Sequence, residues 1–434
     1  MKSPQSVAIV GAGPAACTLA ALLAQRGVNT VVYGDGKRPE MLVGESLIPA
    51  VVPLLRRLDI EERTAAISQR KPGVSFLHGG AASIHFNFAP IAPLPTYAYN
   101  VDRMKFDELL KARAMELGAV FQGCRAGVVK APPGTGRELV LDEASLAAAP
   151  SLNNQQPDLL VDATGRTRLF ARLLQIGAQR GKRDDVASFA HYEGFAMPEP
   201  AGQVLITRLD QGWSWRIPLP GKLSVGMVTN KKRNRELGAT AEERLEKALQ
   251  SEPLMAEAAR HARRVSPVAT YTNYQLVSDR CAGPGWAAVG DAFGFVDPML
   301  SSGLFLAMES AAQLDAALEK GTRLGGYDLV MRRWYAAWNE LIGYFYDGRI
   351  FSLYEAGHQM RQRRSNPVQL AIDRTLNKHI ARLTSGASTR SHRSRWLLKA
   401  ASRLLIHGVK APRELAIRYG GLAPKRWPVG RPQW

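Results

Sequence analysis

Two kinds of residue in this sequence could carry chemistry: glycines spaced to hold a phosphate group, and a lysine that could donate hydrogen bonds inside a pocket. Lys71 begins the segment KPGVSF (71–76). An ammonium group is a compact donor of three hydrogen bonds, and its pKa falls readily when it is buried. A lysine beside Arg70 at the start of a strand is also a common surface residue. From composition alone, the surface interpretation of Lys71 is favoured.

The glycines lie in a turn between a predicted strand and a predicted helix. Ser6–Val10 is a short apolar strand, GAGPAA (11–16) follows it, and an Ala/Leu-rich helix runs to Gln25 before a second strand, Asn29–Tyr33. This βαβ pattern is typical of a dinucleotide-binding domain. The second strand of such domains usually ends in an acidic residue that binds a ribose. A glycine occupies that position here, so Asp35, which follows it, is the candidate ribose ligand.

Each position of the turn has a physical role. Gly11 permits the tight turn, Gly13 lets the backbone approach a pyrophosphate, and Ala16 is small enough for helix and strand to pack closely. Pro14 and Ala15 open the helix, whose first N–H groups and dipole attract phosphate. The turn therefore predicts a pyrophosphate site.

Four further segments resemble those of the flavin-dependent halogenases and the related aromatic monooxygenases. In chain order they are Gly44, Glu45 and Ser46 of GESLIP (44–49), Arg103 of VDR (101–103), Asp162 and Gly165 of DATG (162–165), and Gly290 and Asp291 of GDA (290–292). The resemblance covers roughly residues 1–345. It implies that these residues bind FAD, with Arg103 near the cofactor and Asp291 on its ribityl chain.

Two more motifs resemble the halogenase branch in particular. WSWRIP (213–218) fits WxWxIP, and FVDPMLSSG (295–303) fits FxxPxxSxG. The positions that the resemblance places beside the isoalloxazine ring are Pro298, Ser301, Ser302 and Gly303. KPGVSF resembles the segment that carries the halogenases' active-site lysine, so the resemblance implies a catalytic role for Lys71. The two tryptophans of WSWRIP are expected to shape the pocket rather than to react.

The resemblance also implies the chemistry. Reduced FAD would react with O2 to give a C4a-hydroperoxide, which either hydroxylates an electron-rich ring or oxidises halide to hypohalous acid, and the lysine would hydrogen-bond that acid near the substrate. Tryptophan halogenases place a glutamate just before the serine of FxxPxxSxG, whereas this chain has Leu300. Halogenases of phenols and pyrroles often lack that glutamate, so Leu300 argues against free tryptophan as substrate and leaves halogenation open.

These features predict an α/β fold. A GxGxxG FAD-binding domain of the glutathione-reductase and p-hydroxybenzoate-hydroxylase type would carry a β-sheet substrate layer and a helical C-terminal region. The predicted core spans residues 1–345, and the basic helical region spans 346–434. Within the core, the FAD segments are about 1–70, 101–175 and 280–345, and the β-rich layer is about 71–100 and 186–278. Three scattered cysteines without a CxxC pair suggest neither a disulfide framework nor a metal site.

Positive charge is concentrated in the tail. Residues 361–434 contain 17 Lys and Arg against 2 Asp and Glu, which is +15 of the chain's total of +19. An amphipathic helix is predicted over 394–407, with an apolar side of Trp396, Leu397, Ala400, Leu404 and Leu405 and flanking charges at Arg395, Lys399 and Arg403. Such a region attracts acidic surfaces. We expect an acidic protein substrate or carrier protein ahead of an anionic membrane and of nucleic acid, for which no motif is present. A solvated basic face stays open as an alternative.

The basic tail and Leu300 together favour an FAD-dependent monooxygenase that hydroxylates an aromatic side chain of a protein substrate. The chain also resembles the flavoprotein monooxygenases of tryptophylquinone cofactor biogenesis, and this resemblance implies that the target is the indole ring of a tryptophan side chain. The alternative is a halogenase of a pyrrole or phenol held by an acidic carrier protein. A membrane-surface isoprenoid reductase would share the FAD motifs but not WxWxIP or FxxPxxSxG, and a flavin-binding protein without catalysis is a fourth hypothesis.

The sequence also sets expectations for the reductant and the location. A second GxGxxG in a βαβ context is missing, so the flavin should be reduced from outside, by a reductase or by diffusing NADH or NADPH. With no apolar run of transmembrane length and no signal-peptide segment in the first ten residues, a cytoplasmic location is expected.

Overall fold

The computed structural model describes residues 3–78, 82–181, 183–197, 199–209, 212–273, 275–362, 367–386, 392–404 and 417. Within them the strands, β1 to β21 in chain order, are Ser6–Val10, Asn29–Tyr33, Ser68–Lys71, Gly73–His78, Ala82–Asn87, Ala98–Val101, Val120–Gln122, Val128–Lys130, Leu139–Leu141, Leu159–Asp162, Ala178–Arg180, Asp185–Glu193, Val204–Leu209, Gly212–Leu219, Lys222–Asn230, Arg263–Arg264, Ala269–Asn273, Leu276–Ser278, Ala282–Gly283, Trp286–Ala288 and Gly294–Phe295. The α-helices, α1 to α14, are Pro14–Gln25, Val52–Arg57, Glu61–Ala66, Arg103–Glu116, Glu143–Ala147, Leu169–Leu173, Lys231–Glu236, Ala241–Gln250, Pro253–Ala258, Ser302–Glu319, Leu324–Tyr346, Arg349–Gln362, Pro367–Thr384 and His392–Leu404.

A largely parallel sheet with strand order β19-β20-β10-β1-β2-β7 forms the dinucleotide-binding part. Its central strands are apolar throughout because both faces are covered, and Val7, Ala8 and Ile9 of β1 are fully buried. Strands β1, β10 and β20 run parallel to one another. Their carboxyl ends therefore meet at one edge of the sheet, where ligands of such folds bind. The turns GAGPAA, DATG and GDA follow these three strand ends.

A second sheet has the order β16-β12-β15-β14-β13-β4-β5, with β17 paired to β12. Strand β4 pairs in parallel with β13, and this pairing brings residues 74–77 beside residues 204–207. Phe76 lies opposite Ile206, and Ile206 lies opposite Trp215. Because residues directly opposite each other on neighbouring strands point to the same face, these three side chains form an apolar row across one face of the sheet.

Beyond α11, the described chain forms the three helices α12, α13 and α14. Helices α13 and α14 are joined by a hydrogen bond between His379 Nδ1 and Ser394 Oγ at 2.9 Å. The predicted fold class, an α/β FAD-binding fold with a β-sheet layer and a helical C-terminal region, is confirmed.

The predicted apolar side of the last helix does not face the interior. In α14 the buried positions are Ser394, Leu398 and Ser402, spaced four residues apart, whereas Trp396 is 65% exposed. The physical reason lies in the polar contacts that orient the helix, since Ser394 bonds to α13 and Arg395 Nε bonds to Glu340 of α11 at 2.8 Å. Arg395 is thus held in an ion pair rather than facing a partner. Position 405 lies outside the described residues.

Candidate active site

The glycine-rich turn has the geometry of a phosphate cradle. Gly11 has a φ of +110°, and a Cβ added to it would lie 2.3 Å from a carbonyl oxygen of the turn after β10. A Cβ on Gly13 would meet nothing within 4 Å. Helix α1 begins directly afterwards at Pro14 and has no side-chain cap, so the N–H groups of Ala15 and Ala16 have no partner within the helix. An open backbone position beside an uncapped helix N-terminus fits a pyrophosphate.

Asp35, the predicted ribose ligand, lies just beyond β2 in an ion pair. Its carboxylate accepts hydrogen bonds from Arg125 Nε at 2.7 Å and from the N–H of Lys37 at 3.2 Å. The bond from Arg125 holds its pKa below the ordinary value. The glycine before it is required, because a Cβ there would lie 2.7 Å from that of Ala12. Arg38, which no motif indicates, donates to Ala12 O at 2.7 Å and brings a guanidinium beside the turn.

The GESLIP segment carries a buried acid–base pair. Glu45 Oε1 lies 2.5 Å from Nε2 of His191 on β12. Gly44 has a φ of +96°, and a Cβ on it would lie 3.1 Å from Nη1 of Arg103. Arg103 donates to the carbonyl oxygen just before Gly44 and, through Nε, to Asp107 at 3.0 Å. The guanidinium therefore fixes the segment to the start of α4.

In the DATG turn, the acidic residue forms hydrogen bonds within the turn and with the helix that follows it. Asp162 is fully buried at the end of β10. Its carboxylate accepts hydrogen bonds from the N–H and hydroxyl of Thr164, at 3.0 and 2.6 Å, and from the N–H of Phe170 at 2.7 Å. These bonds hold the turn at Gly165, whose φ is +58°. Asp162 thus shapes the edge of the site.

The GDA turn turns its acidic residue toward a cavity. Gly290 has a φ of +61°, and a Cβ on it would lie 3.1 Å from that of Ala15, so this turn touches the first turn of α1. Asp291 follows in the cavity wall. Burial raises the pKa of Asp291 to about 6, although the charges of Arg166 and Arg103 act in the opposite direction.

The loop before α10 contains two consecutive residues with a left-handed backbone. Leu300 has a φ of 63° and Ser301 a φ of 56°. Each costs on the order of 1 kcal/mol or more, so the surroundings must hold the loop in place. Asp297, which is fully buried, accepts hydrogen bonds from the N–H of Met299 at 2.9 Å and from the hydroxyl of Tyr346 at 3.0 Å. Asp297 is therefore the anchor of this loop.

One cavity brings most of these segments together. The predicted site residues that line it are Pro14, Gly44, Glu45, Ser46, Lys71, Arg103, Asp291, Pro298, Ser301 and Gly303. Those that do not are Gly11, Gly13, Ala15, Ala16, Asp35, Asp162, Gly165, Gly290 and Ser302. Among the described residues, Ser46 Oγ is buried in this wall without a hydrogen-bond partner, and a polar cofactor would satisfy it. The donors and open backbone positions thus fit FAD.

Lys71 lies at the end of β3 and is only 1% exposed, so the surface interpretation is wrong. Its Nζ donates to Leu47 O at 2.9 Å and lies 5.3 Å from the centre of the Phe88 ring. Burial lowers the pKa of Lys71 from 10.5 to about 7, with no carboxylate of the described residues offsetting the effect. At neutral pH this amine is therefore close to the midpoint of its titration.

The two tryptophans of WSWRIP line the cavity on the sheet side. Their ring centres lie 5.6 Å apart. Trp213 Nε1 donates to the hydroxyl of Tyr346 at 2.9 Å, and Trp215 Nε1 donates to Ser224 Oγ at 3.2 Å. Because both indole N–H groups are used, the two rings present apolar surface to the cavity.

Sequence patterns did not indicate several residues of this site. His191 and Tyr346 come from β12 and α11, far along the chain from Glu45 and Trp213. Thr384, at the end of α13, also lines the cavity. None of these positions belongs to a recognisable motif. The one available signal was Asp297, an acidic residue inside the FxxPxxSxG segment.

Comparison with known proteins assigns the family. The family model for tryptophan halogenases matches residues 6–95 and 92–354. The chain belongs to the tryptophan halogenase family. It is 32% identical over 338 residues to a "Tryptophan 2-halogenase" of Chondromyces crocatus, covering 76% of this chain and 63% of that protein's length. It is 30% identical over 335 residues to a "1H-pyrrole-2-carbonyl-[peptidyl-carrier protein] chlorinase" of Pseudomonas fluorescens, covering 70% of this chain and 73% of that protein.

Solved structures support the same fold. The flavin-dependent brominase Bmp2 matches with a TM-score of 0.74 and 22% identity, covering 92% of this chain and 98% of that chain. The myxobacterial chondrochloren halogenase CndH matches with a TM-score of 0.67 and 22% identity, covering 93% and 97%. These family members are flavin-dependent oxidoreductases, and FAD is the cofactor of this chain. The predicted resemblance and cofactor are confirmed. In the part of the chain that the structure describes, none of the helices is long and apolar enough to cross a membrane.

Proposed function

We propose that this chain is a halogenase that replaces a ring C–H bond with a C–Cl or C–Br bond on a pyrrole or phenol held by an acidic carrier protein. The observation that carries the proposal is Lys71, a buried amine in an otherwise apolar part of the cavity. Reduced FAD and O2 supply the oxidising equivalents for the halide. Lys71 then binds the oxidised halogen by hydrogen bonds and holds it against the ring.

The cavity suits an electron-rich aromatic ring. On the substrate side its wall is made of aliphatic and aromatic side chains, among them Phe76, Phe86, Trp213 and Trp215. Such a wall binds a ring by contact area and limits the escape of hypohalous acid into the solvent. Leu300 stands where tryptophan halogenases have a glutamate, so the cavity lacks that carboxylate for a free indole substrate.

Relatives favour the carrier-bound substrate. The chlorinase of Pseudomonas fluorescens and a brominase of Pseudoalteromonas luteoviolacea, 28% identical over 327 residues, are both named for 1H-pyrrole-2-carbonyl-[peptidyl-carrier protein]. The comparisons give no support to tryptophan hydroxylation in quinone-cofactor biogenesis, the activity that the sequence favoured. They support the halogenation that was its alternative.

Basic side chains on the C-terminal helices provide a docking surface in this proposal. Arg374 and Lys378 of α13 and Lys399 and Arg403 of α14 are exposed. An exposed Trp396 lies on the same side of α14, one turn from Lys399. Charge of this sign accelerates encounter with an acidic carrier, and an exposed aromatic ring can anchor the contact. Arg395 takes no part, since it is bound to Glu340.

We assign FAD contacts to the residues at the sheet edge and the loop before α10. The pyrophosphate falls to the turn of Gly11, Gly13, Pro14, Ala15 and Ala16, and the remaining contacts fall to Asp35, Gly44, Glu45, Ser46, Arg103, Gly165, Gly290, Asp291, Pro298, Ser301, Ser302 and Gly303. Asp162, which is fully buried, supports the site by holding the turn at Gly165. We also retain the division into a core of residues 1–345 and a basic helical region of 346–434, with the flavin reduced by an external reductase or diffusing NADH or NADPH.

The test is the mass of the product. The holoenzyme is supplied with a flavin reductase, NADH, O2 and either chloride, bromide or no halide. The substrates are phenol, pyrrole-2-carboxylate and pyrrole-2-carboxylate loaded on a carrier protein. Halogen should be gained only when halide is present, with the loaded carrier turning over fastest, and Lys71→Ala should abolish it while FAD stays bound. Gain of oxygen without halide would instead establish hydroxylation and refute the proposal.

A further inference from the structure

Part of the cavity wall comes from the C-terminal helices. Thr384, the last residue of α13, lines the cavity together with Ile48 and Leu304. The family model ends at residue 354, so this wall residue belongs to a part of the chain that the family pattern does not describe.

The turn after α13 fixes the helix end on the GESLIP segment. The N–H of Ala50 donates to Ser385 O at 3.1 Å, and Ser385 is buried. Gly386 has a φ of +84°, and a Cβ on it would lie 2.6 Å from that of Ala50 and 2.9 Å from Cδ1 of Ile48. Only glycine permits this close contact, so the position of Thr384 is set by backbone packing rather than left to a loose helix end.

Thr384 acts on the cavity through its shape. Its hydroxyl lies 3.0 Å from Ile380 O and 3.3 Å from Ala381 O, both within its own helix. A hydroxyl has a single proton to donate, and here that proton is used inside α13. Thr384 therefore limits the space in the cavity without offering a ligand a hydrogen-bond donor.

We infer that Thr384 is a specificity-determining residue whose size sets how large an aromatic ring the cavity admits beside the GESLIP segment. The inference rests on the proposed function for its substrate class, electron-rich aromatic rings. A larger side chain at this position excludes a bicyclic ring first, since a single ring leaves more of the cavity empty. A smaller side chain shifts the preference toward bicyclic rings.

The experiment compares the FAD-loaded wild type with Thr384→Phe, Thr384→Leu and Thr384→Ala, using phenol and 2-naphthol as probes. Binding is followed through the flavin absorbance spectrum, and halogenation through product mass. Thr384→Phe should weaken 2-naphthol relative to phenol by about tenfold or more, because overpacking a filled wall carries that cost. Thr384→Leu should shift the ratio less in the same direction, and Thr384→Ala should shift it the other way. The isosteric Thr384→Val is the control and should keep the wild-type ratio.

The outcomes separate this inference from the proposed function. FAD content is measured for every variant, so that the binding ratios are compared only between FAD-loaded proteins. Ratios equal to wild type in Thr384→Phe and Thr384→Leu with FAD bound, or wild-type enzyme that binds neither probe, would overturn the inference. If the binding ratio shifts but no probe gains halogen, the proposed function fails while the role of Thr384 stands. If halogenation occurs but the binding ratios do not change, the proposed function stands and the role of Thr384 is refuted.

Discussion

Lys71→Met should stabilise the FAD-free protein, and the gain should depend on pH. Burial lowers the pKa of Lys71 from 10.5 to about 7. Each pH unit of that difference corresponds to about 1.4 kcal/mol, so the buried charge destabilises the folded protein by roughly 5 kcal/mol at low pH. Methionine has a similar length, carries no charge and adapts to apolar surroundings.

The number of protons bound by the folded and unfolded chains sets the direction in which stability changes with pH. Below pH 7 the lysine is charged in both folded and unfolded chains, and the full cost is present. Between the two pKa values only the unfolded chain keeps the proton, so wild-type stability rises with pH until the cost is gone. The substitution also deprives Leu47 O of its donor at 2.9 Å, a loss of about 1–3 kcal/mol. The Met variant should therefore be more stable by about 2–4 kcal/mol at pH 6 and should lose this advantage by pH 10.

Urea unfolding of both apoproteins between pH 6 and pH 10 measures this difference, because all other titrating groups cancel. Lys71→Arg is the matched control, since arginine stays charged throughout this range. Its stability should fall relative to wild type as the pH rises. A difference between wild type and Lys71→Met that stays constant with pH would refute the reasoning, because it would mean that Lys71 is not a buried and uncompensated charge.

Three further outcomes are expected. Gly13→Val should fill the open position beside α1 and weaken FAD binding by about tenfold or more; a folded variant that titrates FAD like wild type would contradict the pyrophosphate site. Tyr346→Phe should lower the unfolding free energy by about 1–3 kcal/mol by breaking a buried hydrogen-bond chain, and an unchanged urea midpoint would show that the chain contributes nothing. Lys399→Glu with Arg403→Glu should raise KM for a carrier-bound substrate, most strongly at low salt. Arg395→Glu should instead lower the melting temperature. A KM that does not change with salt concentration in either the double variant or Arg395→Glu would refute the docking surface.

The parallel sheet and its turns were predictable because their signals are local. Strand Ser6–Val10, the helix ending at Gln25 and strand Asn29–Tyr33 occur as predicted. Strands covered on both faces are apolar throughout, and a turn that needs a φ of +110° shows itself as a glycine at position 11. Since parallel strands end at one edge of a sheet, the turns after β1, β10 and β20 meet there.

Features set by distant contacts were not predictable in this way. The apolar residues of α14 do not determine which side of the helix faces inward, because its buried side is set by two polar contacts with α11 and α13. The pairing of Glu45 with His191 joins residues 146 positions apart. The approach of Thr384 to the cavity depends on a glycine fitting against Ala50. Local spacing carries no information about such pairs.

The charged residues of the cavity differ in whether they have polar partners. Glu45 and Arg103 each have a polar partner, whereas burial raises the pKa of Asp291 to about 6 despite the positive charges of Arg166 and Arg103. Lys71 is different, because its Nζ contacts a backbone carbonyl and an aromatic face. An amine so placed weakens the fold, and an apolar side chain would fill the same space without that cost. A buried amine that lowers the free energy of unfolding is a candidate for a role in ligand binding or catalysis. In the proposed function, the paired charges of Glu45 and Arg103 serve FAD binding, and the unpaired amine of Lys71 serves the reaction.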